Sequence, residues 1–285
     1  MLALCGGAVH AQPVLRAVGI ESQYADVMAQ IGGQYVQVSA IETDPNTDPH
    51  EFEISPKVAR SLAKADVVVE NGLGYDAWAD PMLKTSGAQI INAQRVLALP
   101  DATPNPHLWY SPKTMAALAP VIAQAFAARD AAHAAYYQKN EKTFIASLKP
   151  WADAIAALKA KSAGTPVAVT EPVGDYLLQA AGLRIATPFT LEASIMNGTD
   201  PAPQDVTAEE DLLTQRKVKL FVYNQQVTDP LTQTFLGLAK QNHIPIVGVY
   251  ETMPQGFTYQ GWMLAETQAL ARAAQTGLST ETLGH

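Results

Sequence analysis

One cysteine, Cys5, stands in 285 residues. A single thiol closes no disulfide within the chain and builds none of the thiolate cages of structural zinc sites. Long apolar runs are missing too: beyond the N-terminal segment, none approaches the ~20 residues that a helix needs to span a bilayer. Positive charge is scarce. Nineteen Lys and Arg face 27 Asp and Glu, a formal net charge of −8, which argues against nucleic acid as a partner. There is no HExxH pair, no nucleophile elbow and no phosphate-binding glycine loop. Histidine occupies only six positions, so two presented in the same way carry weight.

With 30.5 kDa and 48% hydrophobic residues, the chain has material for one large domain or two medium ones. Residues 1–11 read as a signal peptide fragment: 2–9 is an apolar run, and Val9-His10-Ala11 before Gln12-Pro13 fits a signal-peptidase site. Leu4 is bulkier than the small residue that a lipoprotein motif places before its cysteine. Secretion into the periplasm with cleavage near Ala11 is therefore expected rather than lipid anchoring. The mature chain then has no thiol for a disulfide or a metal.

Asp48-Pro49-His50-Glu51-Phe52-Glu53 sets one imidazole among three carboxylates. Pro49 fixes its own φ and biases Asp48 toward an extended conformation, which makes the segment a rigid loop. An alternating, β-branched run over 36–41 precedes it as a strand. Ser55-Pro56, an N-cap followed by proline at the first helical position, opens a helix behind it. His50 is thus expected just past a strand end, where α/β proteins place ligands. Asn105-Pro106-His107-Leu108-Trp109 repeats the Pro-His device.

In the first half, strands are expected over 14–20, 36–41, 66–70 and 89–92. Helices are expected over 23–31, 56–65 and from Ser111-Pro112 to about 129. Residues 71–75 read as a turn, Trp78 and Met82 as part of a short helix, and the segment from 93 to His107 as a proline-punctuated loop. Residues 131–161 form an Ala- and Lys-rich helical stretch without glycine, far longer than the mean of ~11–12 residues. Pro150 should kink or divide it. It reads equally as a rigid connector or as a surface helix covering one sheet. The alternation then restarts, with strands over 166–170, 183–186, 220–223 and 244–250. Helices follow over 174–181, 207–216 (Thr207 as N-cap), 229–242 and 259–275. Residues 189–206, rich in Pro, Gly and Asp, read as a long irregular loop.

Glu171 follows the 166–170 strand and Glu251 follows the 244–250 strand. If the two halves face each other through their strand C-terminal edges, His50, His107, Glu171 and Glu251 converge in one cleft. Two imidazoles and two carboxylates make a mixed nitrogen and oxygen donor set for a borderline or moderately hard divalent cation. Against this, a lone Glu at a strand end is more often a surface residue. The proline-stiffened histidines are stronger candidates. His133 and His243 are expected in solvent on helix surfaces or ends, His10 falls in the signal segment, and His285 is the last residue. Two histidines and a carboxylate also describe catalytic zinc and the non-haem iron triad, so a metal-dependent hydrolase or oxygenase is the competing class. An open coordination position would mark chemistry, and four protein ligands would mark carriage.

Three stretches together carry a resemblance over nearly all of the mature chain: Asp48-Pro49-His50-Glu51-Phe52-Glu53-Ile54-Ser55-Pro56, Ala65-Asp66-Val67-Val68-Val69-Glu70-Asn71-Gly72, and Asn105-Pro106-His107-Leu108-Trp109. The sequence resembles the zinc/manganese substrate-binding proteins of ABC transporters, the cluster A-I family that also contains lipoprotein adhesins. The resemblance implies an α/β fold of two lobes with mainly parallel sheets, joined by one long rigid helix, with metal in the cleft between them. The divisions are then an N-terminal lobe over 12–130, a connecting helix over 131–163 and a C-terminal lobe over 164–285. It implies His50 and His107 as ligands, with Glu171, in Val169-Thr170-Glu171, as the third. Family members usually carry Asp after the last strand, where this sequence has Glu251. That longer side chain reaches about one C–C bond further, which permits binding through both oxygens.

The implied function is capture of a divalent transition metal outside the cytoplasm and its delivery to a membrane permease, by a monomer that is not an enzyme. A surface adhesin on the same fold is a further alternative. Residues 93–103 hold no histidine, so the His/Asp-rich loop of many zinc members is absent, and Glu171 stands where many of them carry His. Both features favour Mn2+ or Fe2+ over Zn2+, although zinc outcompetes manganese at almost any nitrogen/oxygen site.

Overall fold

The structure, a computed structural model, describes residues 14–46, 49 and 52–283. The expected signal segment, Asp48, His50, Glu51 and His285 lie outside the described residues. The first half runs β1 (Leu15–Glu21), α1 (Ser22–Gly32), β2 (Val36–Glu42), α2 (Pro56–Ala63), β3 (Val67–Glu70), α3 (Asp80–Leu83), β4 (Gln89–Asn92), α4 (Ala93–Val96) and α5 (Thr114–Arg129). Its four strands pair in parallel in the order β2-β1-β3-β4. A parallel sheet is covered on both faces, which is why Val67-Val68-Val69 is an unbroken apolar run with every side chain buried. Ser55 caps α2 as expected, its hydroxyl accepting from the Val58 N–H at 3.3 Å.

The second half comprises α6 (Ala134–Ser147), α7 (Lys149–Ser162), β5 (Pro166–Val169), α8 (Asp175–Ala180), β6 (Arg184–Ile185), α9 (Phe189–Met196), α10 (Pro203–Thr214), β7 (Leu220–Asn224), α11 (Pro230–Gln241), β8 (Ile246–Val249) and α12 (Tyr259–Thr276). Its sheet is also parallel, in the order β6-β5-β7-β8. Both halves therefore repeat one topology. The order reverses between the first two strands of each, and the crevice beyond the strand C-termini at such a point is where α/β folds bind ligands.

The long helix divides where proline requires it. α6 and α7 meet at Leu148, and Pro150 occupies the first turn of α7, where a missing N–H costs no intrahelical bond. Residues 189–206, expected as an irregular loop, instead contain α9 and the start of α10. Leu191, Glu192 and Ile195 form the buried face of α9, and the helix breakers are confined to the short link 197–202. Thr207 is not an N-cap. It sits one turn inside α10, its hydroxyl donating to the Pro203 carbonyl at 3.0 Å. The loop leading to His107 begins with the short helix α4, capped by Asn92. The chain end also pairs with β8: the Thr280 N–H donates to the Ile246 carbonyl and the Gly248 N–H to the Thr280 carbonyl. Gly248 is required there, because a Cβ would strike the Glu281 carbonyl.

The halves share their interior. Leu15 and Ala17 of β1, Leu220 and Val222 of β7, Phe126 of α5, Trp151 and Leu158 of α7, and Trp262 of α12 all belong to one continuous core. Each sheet's other face has its own smaller core, under α2 and α3 in the first half and under α9, α10 and α11 in the second.

An acid lies inside this interior. Glu266 of α12 is fully buried, one oxygen accepting from the Trp262 indole N–H at 2.6 Å, and burial pushes its carboxyl up to about 8. The folded state thus holds a proton that the unfolded chain releases near pH ~4. Stability contributed by the neutral acid is fully present below that value and is lost as pH rises through about 8. Glu266→Gln, which keeps the shape and removes the ionisation, should gain on the parent protein by on the order of 3 kcal/mol between pH ~5 and ~9. Denaturant melts at the two pH values measure this, and a pH-independent difference would refute it.

Candidate metal centre

His107 lies at the entrance to a 3-10 turn, Leu108–Tyr110, and its ring is completely buried, edge-on to Tyr75 and Trp109 with centroids 5.9 and 5.4 Å away. Asn105 holds it twice. The Asn105 side-chain oxygen accepts from the His107 backbone N–H and faces the ring Nδ1, both at 2.9 Å, while its amide nitrogen donates to the Pro172 carbonyl. That third bond fixes which end of Asn105 faces the ring, so the hydrogen-bond network assigns the Nδ1 hydrogen to His107 and directs Nε2 into the crevice.

Nε2 meets Glu251 Oε2 at 3.2 Å. Glu251, two residues past β8, is only 1% exposed, and Glu171, two residues past β5, is 3% exposed, so neither is the surface residue that a strand-end Glu usually is. Glu251 is gripped at every polar position: its N–H donates to Gln226 Oε1, its carbonyl accepts from Gln23, Oε1 accepts from Asn224 Nδ2 at 2.8 Å, and Oε2 accepts from the Tyr75 hydroxyl at 2.9 Å. Burial, and after it the Glu251 charge, push the Tyr75 phenol well above its ordinary range, so it remains a donor. The two Glu251 oxygens are thus held by groups from opposite halves, Asn224 of the second and Tyr75 of the first. Asn224 Nδ2 also donates to Glu171 Oε1 at 3.1 Å, which brings Glu171 into the same group.

Each member is placed by its strand or turn. Asn71 past β3 donates to the Pro106 carbonyl at 2.8 Å, fixing the peptide before His107. Asp76 accepts from the Asn71 and Gly72 N–H groups, and Gly72, Leu73 and Gly74 all take positive φ, which turns the chain tightly enough to bring Tyr75 to the crevice. Tyr110 donates to the Tyr250 carbonyl at 2.8 Å and accepts from the Tyr250 N–H, so the residue before Glu251 is held by the first half.

Among the described residues, no group of three or more His, Cys, Asp and Glu is set to hold a metal ion as it stands. The donors are hydrogen-bonded to one another, with the Asn224 amide joining the two carboxylates. His107, Glu171 and Glu251 are nevertheless brought together, while His50 lies outside the described residues. His243 is exposed as expected, whereas His133 is engaged, stacked on Tyr35 at 3.6 Å with Nδ1 2.7 Å from Asp130. Sequence reasoning missed Asn224, Tyr75 and Asn105, which organise the candidate donors. The signal for Asn224 was its place at the end of a strand beside the one that Glu171 follows.

The profile of the family described as zinc-uptake complex component A, periplasmic (ZnuA), matches residues 21–273. The chain belongs to this family. The manganese-binding lipoprotein MntA of Bacillus subtilis (strain 168) is 27% identical over 255 residues, covering 82% of this chain and 79% of that protein. The iron-binding protein YfeA of Yersinia pestis is 21% identical over 217 residues, covering 72% and 67%. Among solved structures, FpvC from Pseudomonas aeruginosa in complex with Mn2+ superposes with a TM-score of 0.76 at 22% identity, covering 92% of this chain and 99% of that one. A ZnuA crystal structure gives 0.76 at 20% identity, covering 92% and 100%. These two likenesses are of fold. As a ZnuA-family member, the protein is a metal-binding substrate-binding component of an ABC transporter, extracytoplasmic and not an enzyme.

Proposed function

We propose that this ZnuA-family protein captures one divalent transition-metal ion between His107, Glu171 and Glu251, with His50 as fourth ligand, and delivers it to a membrane permease. The observation that carries the reading is the 3.2 Å separation of His107 Nε2 and Glu251 Oε2. Two ligands each about 2.1 Å from one ion, at an angle of about 100°, stand ~3.2 Å apart. Carboxylates in place of imidazoles move the donor set toward Mn2+ or Fe2+, and the affinity series for divalent metals keeps Zn2+ a strong competitor. The N-terminal segment supports release into the periplasm by signal cleavage.

Because Nδ1 carries a hydrogen, a neutral ring and an ionised Glu251 would set two lone pairs against each other at 3.2 Å. One proton therefore lies in that contact, and an incoming ion displaces it. Calorimetric titration with Mn2+ and with Zn2+, in buffers of different ionisation enthalpy, should show one ion per chain and proton release near neutrality. Affinity should fall steadily from mildly alkaline to mildly acidic buffer, because the ion must displace that proton. Affinity that is flat across that range, with no proton released, would remove His107 from the site.

A further inference from the structure

Asn224, the last residue of β7, is 1% exposed and spends its whole side chain on the centre. Its Nδ2 donates to Glu171 Oε1 at 3.1 Å and to Glu251 Oε1 at 2.8 Å, which uses both amide hydrogens. The other end of the amide is fixed as an acceptor, since Asn224 Oδ1 receives the Gln226 N–H at 3.0 Å. The Asn224 backbone is pinned as well, its N–H donating to the Thr170 hydroxyl at 3.1 Å. Flipping the amide would turn a carbonyl toward two carboxylates and an NH2 group toward an N–H. The orientation is therefore determined. Two like charges in one buried site repel, and an amide tethers both without adding a positive charge that would repel a cation. Neighbouring Gln226 does not duplicate the role, because its side-chain oxygen takes the Glu251 and Thr252 N–H groups and its nitrogen donates to the Thr252 hydroxyl.

We propose that Asn224 is a positioning residue that sets metal specificity: by engaging Oε1 of both Glu171 and Glu251, it makes each a one-oxygen donor. This rests on the reading of His107, Glu171 and Glu251 as ligands. The consequence is a site with few donors. Zinc is content with four ligands, whereas manganese and other ions that favour oxygen-rich octahedral sites gain from chelating carboxylates. Asn224 thus counterbalances the bias toward manganese that Glu171 introduces, and its removal frees both carboxylates to bind through two oxygens.

The test is Asn224→Ala in the full chain, with dissociation constants for Mn2+ and Zn2+ measured by chelator competition and the visible spectrum of the Co2+-loaded protein recorded. Asn224→Ser, which keeps a polar group at the strand end but cannot bridge two acids, serves if the alanine variant does not fold. Zinc should weaken by about 10–100-fold, the usual cost of losing a group that orients a ligand. Manganese should change far less, so that the ratio of the two constants moves at least about tenfold toward manganese. The Co2+ absorption should fall in intensity as its coordination number rises. Equal weakening of both metals with an unchanged Co2+ spectrum, or no change in either, would overturn this proposal alone. A parent chain that binds neither metal would overturn the reading of the site and this proposal with it.

Discussion

His107→Ala should weaken binding of both Mn2+ and Zn2+ by more than about 100-fold, beyond the 10–100-fold that losing an orienting partner costs. Among the described residues the imidazole is the candidate metal ligand that the first half contributes, and its ring is completely buried beside Glu251. Its removal also takes away the nitrogen 3.2 Å from Glu251 Oε2, while the Asn105 oxygen keeps the backbone N–H of residue 107. The loop should therefore retain its shape, and the metal-free variant should still unfold cooperatively. Competition titration against a chelator of known affinity reads the loss. An affinity within about threefold of the parent, beside an intact fold, would mean that the ring packs the interior and touches no ion, since ligand losses cost far more.

Metal should raise the melting temperature of the parent chain by about 5–10 °C. A ligand at ~100 times its dissociation constant adds about 2.7 kcal/mol, and a chain of this size gains about 2–4 °C for each kcal/mol. The whole molecule should respond rather than one lobe. Both sheets border a single interior, and the candidate donors come from both halves, His107 from the first and Glu171 and Glu251 from the second. Scanning calorimetry on chelator-treated and metal-loaded protein should accordingly show one transition moving as a unit. Coincident curves would defeat metal carriage.

The strands were legible because parallel sheets buried on both faces write themselves as apolar runs: 67–69, 220–222 and 246–249 needed no tertiary information. α9 was not, because its buried face includes Glu192, a charged residue that breaks the apolar period. Glu192 is tolerated there as a neutral acid, held at about 10 by burial and then by Asp175 beside it. Pro203 was read as a loop residue although it opens α10, since proline signals a helix start and a helix stop equally well. Glu171 and Glu251 were identifiable from their places after strands. Asn224 had only its place at a strand end to mark it in Tyr223-Asn224-Gln225-Gln226, since what an amide does depends on which groups the register sets opposite it.

That register bears on why the candidate donors of the second half, rather than their counterparts in the first, supply acid to the crevice. β5 and β7 pair Val169 with Val222, and two residues on stand Glu171 and Asn224. β1 and β3 pair Gly19 with Val69, and two residues on stand Glu21 and Asn71. The chain thus carries the same acid–asparagine couple twice, once per sheet, but the two asparagines spend their amides differently. Asn71 turns its amide to the Gly72 and Pro106 carbonyls. Burial, with the Asp76 and Glu42 charges behind it, holds the Glu21 carboxyl well above the ordinary carboxylate range. The first copy is thereby biased toward its uncharged form, a structural strut where the second copy offers candidate ligands.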